Sequence, residues 1–203
     1  MFVSMRYSLF LLAFAFLISC NEEKRDYTNV VIILADDLGF GDLACYGSEI
    51  NETPHLDKMA SEGVKFTSYY ATQAVCSASR AALLTGSYPN RIGIHNALMP
   101  NAKIGLNTSE TTIAEMLKGK GYSTAIFGKW HLGDHIDFLP LNHGFDEYIG
   151  IPYSNDMWPL HPQQGPVFDF GPLPLIKQDK AIDTIKDQTD LTVDLTNFST
   201  DFI

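Results

Sequence analysis

Ser123-Thr124-Ala125-Ile126-Phe127 is a short apolar run that passes directly into Gly128-Lys129-Trp130-His131-Leu132-Gly133. The first five residues read as a strand, and the next six as a glycine-bounded loop carrying a cation and an imidazole. A helix precedes them: Thr112 and Glu115 form a capping box before Ile113, Met116 and Leu117, with Gly119 and Gly121 as the stop. Further toward the N-terminus, the Ser/Ala-rich residues 77–84 read as a helix ending near Gly86. Val64-Lys65-Phe66-Thr67-Ser68-Tyr69-Tyr70 alternates and predicts a strand. Another helix opens at Thr53-Pro54, with Thr53 as N-cap, Pro54 at the first helical position and Gly63 as stop. Val30-Val31-Ile32-Ile33-Leu34 lacks alternation, as expected of a central strand covered on both faces. Strands alternating with helices predict an α/β fold, a mostly parallel central sheet flanked by helices.

Toward the C-terminus, residues 152–174 are rich in proline and aromatics and read as a long irregular loop. Residues 179–203 read as a strand followed by a helix entered near Thr189. That helix reaches Ile203 with no cap or stop signal, so the sequence predicts a chain truncated mid-fold at its C-terminus.

The 203 residues are 45% hydrophobic and 19% charged, which excludes a disordered acidic tail. No segment recurs at a fixed period, which excludes a solenoid. Fourteen Lys+Arg against 24 Asp+Glu give a net charge of −10, a surface that repels phosphate backbones, so no nucleic-acid partner is expected.

Residues 1–20 combine an early Arg6, an apolar stretch over residues 7–20 and the small-residue ending Leu17-Ile18-Ser19-Cys20. This describes a secretory signal, and the run is shorter than the roughly 20 apolar residues of a transmembrane helix. The ending resembles a bacterial lipoprotein box, which implies acylation at Cys20 and membrane attachment only through that lipid. A plain signal peptide ending near a cysteine is the alternative. Residues 21–28 form a polar tether. Export to the periplasm or cell surface follows, and there Cys45 and Cys76 would pair as a disulfide by default.

Three strand ends carry polar groups, and ligands in open α/β sheets gather at such ends. Asp36-Asp37 closes the first, Cys76 to Arg80 follows the second, and Lys129 with His131 follows the third. Adjacent carboxylates repel unless a cation lies between them, and their oxygens suit Ca²⁺ or Mg²⁺ rather than Zn²⁺. Asp36-Asp37 read alone is also an ordinary solvated turn. Lys129 and His131 offer an anion clamp and a proton-transfer group that share a side of an extended backbone. Arg80 lies four residues after Cys76, so both fall near one helix N-terminus, where anions are favoured.

Cys76-Ser77-Ala78-Ser79-Arg80, followed by Ala81-Ala82-Leu83-Leu84-Thr85-Gly86, resembles the signature of type I sulfatases, members of the alkaline phosphatase superfamily. Ala35-Asp36-Asp37-Leu38-Gly39-Phe40-Gly41-Asp42 and Gly128-Lys129-Trp130-His131-Leu132-Gly133 are similar to two further motifs, in the family's order. Gly150-Ile151-Pro152-Tyr153-Ser154 resembles a segment of the arylsulfatase branch. The resemblance covers residues 29–203, taken as the N-terminal part of a sulfatase catalytic domain. It departs at Ala78, where the common form has proline. The family's later Asp-Asn metal pair, second His and second Lys have no counterpart, leaving roughly half of the expected site.

The resemblance implies hydrolysis of a sulfate ester on a small molecule or glycan. Cys76 would be oxidised to formylglycine by a maturation enzyme rather than enter a disulfide. Asp36, Asp37 and modified Cys76 would coordinate Ca²⁺, ahead of Mg²⁺. Arg80 and Lys129 would hold the reacting oxygens, His131 would take a proton, and Lys129 and Ser154 would touch substrate. With only part of a shell of six to eight oxygens, the chain alone is expected to bind metal poorly and turn over little. The alternatives are a phosphate or phosphonate ester hydrolase of the same superfamily, and a surface lipoprotein that binds sulfated glycans without cleaving them.

Overall fold

Local signals place the helices of this protein, and a few very close backbone approaches place its strands. The computed structural model describes residues 28–163 and 165–203; the signal, lipid-box and most of the tether assignments lie outside them. The chain divides into two units, Met1–Phe66 and Thr67–Ile203.

In the first unit, helix α1 spans Pro54–Glu62, with Pro54 in its first turn and Gly63 closing it by an N–H bond to the Met59 carbonyl at 2.9 Å. Thr53 sits at the cap position but does not cap the helix with its side chain. Its hydroxyl instead donates to Asp57 Oδ1 at 2.9 Å and accepts from the Ala44 N–H at 2.9 Å. Asp57 Oδ1 also accepts from the Cys45 N–H at 2.8 Å, so the start of α1 anchors the 3-10 turn at Ala44–Tyr46. The strand expected over residues 30–34 does not form: these residues enter no ladder and are exposed, Ile33 by 79%. Residues 64–70 likewise enter no ladder and are exposed. A β-branched run favours extended backbone, but it becomes a strand only where another segment supplies the hydrogen bonds.

In the second unit, α2 spans Cys76–Thr85 and ends at Gly86, whose φ of 66° is the left-handed conformation of a helix terminator. It buries a small-residue face, Ser77, Ala78, Ala81 and Ala82, which lets its backbone approach the core closely. Helix α3 spans Ile113–Lys118 and carries the expected capping box. Thr112 Oγ1 accepts from the Glu115 N–H at 3.1 Å, and Glu115 Oε2 accepts from the Thr112 N–H at 2.8 Å.

Strands β1 (Ala125–Lys129), β2 (Glu147–Ile151), β3 (Leu173–Lys177) and β4 (Lys180–Ile185) form one sheet in that order. β1 and β2 are parallel, with Ala125 opposite Glu147 and Lys129 opposite Ile151, whereas β2–β3 and β3–β4 are antiparallel. The α/β class holds, but among the described residues the sheet is mixed rather than mostly parallel. Gly128 faces Gly150 across the parallel ladder, and a Cβ on Gly150 would collide with the Gly128 carbonyl oxygen. Only glycine allows that approach. Helix α4, Leu191–Phe202, packs on β1, with the Phe127 and Phe202 rings 6.0 Å apart. No described helix is long and apolar enough to cross a membrane.

Trp130 centres the core against Phe145, Leu132 and Ala78, with its indole N–H satisfied by the Phe138 carbonyl at 2.8 Å. A second cluster, Ile151, Tyr153, Met157 and Leu173, pins the irregular stretch after β2.

Candidate active site

Cys76 is the first residue of α2, preceded by Val75 in extended backbone at φ −123°. Its thiol is free and half-buried, and Cys45 is also free, so the structure contains no bridge between them. Arg80 follows one helical turn later on the same face. Its Nη1 donates to the main-chain carbonyl of Lys129 at 2.6 Å. Lys129 closes β1, and its Nζ donates to Ser154 Oγ at 3.0 Å. Ser154 is buried just after β2, and the pairing of the two strands runs on past their ends. The N–H of Trp130 donates to the Ile151 carbonyl at 3.0 Å, and that of His131 to the Pro152 carbonyl at 3.1 Å. The structure therefore brings Cys76, Arg80, Lys129 and Ser154 to one end of β1 and β2.

His131 joins them differently from what alternation predicts. Its φ is 58°, so the backbone leaves the extended region between Lys129 and the ring. The imidazole is 1% exposed, and its Nε2 lies 2.8 Å from the Leu98 carbonyl. A carbonyl only accepts, so in the neutral ring Nε2 carries the hydrogen and Nδ1 the lone pair. Left-handed backbone at a non-glycine residue costs about 1–3 kcal/mol and is held only where surrounding contacts demand it.

Asp36 and Asp37 belong to the first unit. Both are exposed, and Asp37 is likewise left-handed, with φ 58°. Just beyond them, the Gly39 N–H donates to Asp42 Oδ2 at 2.7 Å, which fixes the turn that follows. Adjacent carboxylates are hard donors that fit a divalent cation such as Ca²⁺ in kind, as part of its shell. Among the described residues, no three or more His, Cys, Asp or Glu side chains gather as a cage.

Tyr153, between Pro152 and Ser154, has its phenol pushed up by burial and by the Asp134 carboxylate, so it stays neutral. Its hydroxyl donates to the Pro172 carbonyl at 3.2 Å, which holds the loop that presents Ser154.

Two residues that hydrogen-bond near the site, Ser77 and Leu98, are not singled out by the sequence: Leu98 donates its N–H to Ser77 Oγ and accepts from His131 Nε2. Ser77 lies inside the cysteine motif but carries no signal of its own. Leu98 acts through backbone groups that every residue type has.

The sulfatase family model matches residues 28–202, and the chain belongs to the sulfatase family. It is 47% identical over 154 residues to arylsulfatase G of Mus musculus, covering 74% of this chain and 28% of that protein. To arylsulfatase A of Homo sapiens it is 48% identical over 134 residues, covering 64% of this chain and 26% of that protein. Among solved structures, Ps i-CgsB superposes with a TM-score of 0.71 at 31% identity, covering 84% of this chain and 40% of that one. The same protein has been solved in complex with k-i-k-neocarrahexaose. The chain thus spans about a quarter of the length of the curated relatives it matches.

Proposed function

We propose that this chain contributes to hydrolysis of a sulfate ester, with Cys76, converted to formylglycine, as the nucleophilic position. The observation that carries this reading is the coupling of Arg80 to Lys129, and of Lys129 to Ser154, one helical turn from Cys76. Membership of the sulfatase family supports it.

The modified side chain would supply a hydrated aldehyde: one hydroxyl would displace the alcohol from sulfur, and loss of the other hydroxyl's proton would re-form the aldehyde and break the C–O bond to sulfate. Asp36, Asp37 and that side chain would hold a divalent cation, which would supply positive charge and lower the proton affinity of the hydroxyl. Arg80 and Lys129 bind the sulfate oxygens, and because both are fixed before substrate arrives they stabilise the developing charge without reorganising. Ser154 orients the Lys129 ammonium and touches substrate. His131 accepts, at Nδ1, the proton released as sulfate departs.

The substrate class is a sulfated small molecule or glycan, a reading supported by the arylsulfatase relatives and by the oligosaccharide held by Ps i-CgsB. Export, followed by acylation at Cys20 and anchoring in the periplasm or at the cell surface, rests on the sequence of residues 1–20. Release of a Cys20→Ser variant from the membrane fraction, still exported, checks it.

The test is to produce the full-length protein with a formylglycine-generating enzyme and to assay 4-nitrophenyl sulfate against 4-nitrophenyl phosphate. The sulfate ester should turn over faster, and the Cys76 peptide should carry the aldehyde mass. Faster phosphate turnover would assign the site to a phosphate ester hydrolase. Binding of sulfated glycans with an unmodified Cys76 and no turnover would leave a glycan-binding protein.

A further inference from the structure

Leu98 commits both of its backbone polar groups to side chains. Its N–H donates to Ser77 Oγ at 2.9 Å, and its carbonyl accepts from His131 Nε2 at 2.8 Å. All three residues are buried: Ser77 by its full surface, His131 to 1% exposure and Leu98 to 7%. Ser77 directly follows Cys76 in the first turn of α2. The main chain of His131 is itself held by the Pro152 carbonyl, so the ring is the part of the residue that the Leu98 contact orients. One continuous path of hydrogen bonds therefore runs from the residue beside the nucleophilic position to the imidazole, through a backbone that carries no functional side chain.

We propose that Ser77 is a positioning residue for His131: through the Leu98 backbone it fixes the imidazole with the hydrogen on Nε2, leaving Nδ1 as the proton acceptor. The catalytic meaning of this rests on the proposed role of His131 in sulfate-ester hydrolysis, whereas the tautomer itself does not. The physical basis is the high cost of a buried donor without an acceptor. Removing the Ser77 hydroxyl orphans the Leu98 N–H in a site from which water is excluded, and the segment shifts to find another partner. The Leu98 carbonyl shifts with it. An imidazole released from that carbonyl loses a bias of roughly tenfold between its two neutral forms, the amount one buried hydrogen bond supplies.

The experiment is long-range ¹H–¹⁵N correlation of the histidine rings in the 203-residue chain, with amide exchange measured alongside. In the wild type, His131 should be protonated on Nε2 and the Leu98 amide should exchange slowly. In Ser77→Ala the Nε2-protonated fraction should fall several-fold toward a mixture, while Ser77→Thr, which keeps the hydroxyl, should restore it. A merely structural role for Ser77 would lower the melting temperature and leave the tautomer unchanged, and that result overturns the proposal. Should Ser77→Ala fail to fold, the wild type decides alone: an Nδ1-protonated His131, or a rapidly exchanging Leu98 amide, overturns it. A full-length enzyme that hydrolyses no sulfate ester, yet whose His131 tautomer follows the Ser77 hydroxyl, refutes the proposed reaction and supports the positioning.

Discussion

Arg80 Nη1 and the Lys129 main-chain oxygen are 2.6 Å apart, a charge-assisted hydrogen bond between the first helix of the second unit and the end of β1. It ties the Cys76 helix to the strand that delivers Lys129, whose ammonium is held by a second contact, to Ser154 Oγ at 3.0 Å. In the proposed reaction the guanidinium and the ammonium form a clamp for the sulfate oxygens.

Replacing Arg80 tests that clamp. Lysine keeps the charge but lacks the planar fork that engages a carbonyl and an anion together. Arg80→Lys in the full-length enzyme should lower kcat for a sulfate ester by about 10²–10³-fold, the cost of removing one fixed donor from a developing charge. A loss confined to KM would show that Arg80 binds ground state and transition state alike.

The acidic pair and the imidazole should separate cleanly. In the full-length protein, Asp36→Ala and Asp37→Ala should each weaken calcium binding in calorimetric titration and abolish turnover. His131→Ala should keep wild-type calcium affinity and lose about 10²–10⁴-fold in rate, with a burst of one alcohol per enzyme before slow turnover. Wild-type calcium affinity in Asp36→Ala would remove that residue from the metal site.

Gly150→Ala should destabilise the second unit by about 1–3 kcal/mol, read from the urea midpoint at constant m. The added methyl would meet the Gly128 main chain, which cannot move aside without breaking the parallel ladder. Gly171→Ala, where an added Cβ meets nothing within 4 Å, is the control and should shift the midpoint little.

His143 should make the fold acid-sensitive near neutrality. It is fully buried, with its ring 5.5 Å from Trp130, and burial lowers its pKa below 6.5 against the opposing pull of Glu115 and the Phe138 carbonyl. Because the folded pKa lies below the unfolded one, the unfolded chain takes the proton first. Stability should therefore fall as pH drops below about 6.5, and the loss should level off once pH passes the folded pKa. Urea midpoints between pH 7.5 and 5 should slope less in His143→Phe. Asp146 does not confound this window, since its hydrogen bond to Lys118 holds its pKa below 3.8.

What the sequence determined by itself was whatever neighbours along the chain can enforce. Thr112 and Glu115 capped their helix because both partners lie within one turn, and Pro54, Gly63 and Gly86 set helix ends by their own backbone preferences. The spacing of Cys76 and Arg80 was equally local, so their shared place on one helix could be read directly. Strands were different. Residues 30–34 and 64–70 had the right composition, yet a ladder needs a partner that composition does not name. β2 and β3 were missed for the converse reason. β2 is buried along four consecutive residues and shows no alternation, and β3 contains Pro174, which argues against a strand until β4 pairs with it. The tertiary structure alone decided which nitrogen of His131 holds the hydrogen. That choice is made by the carbonyl of Leu98, a group present in every residue, and only folding determines which carbonyl stands 2.8 Å from the ring.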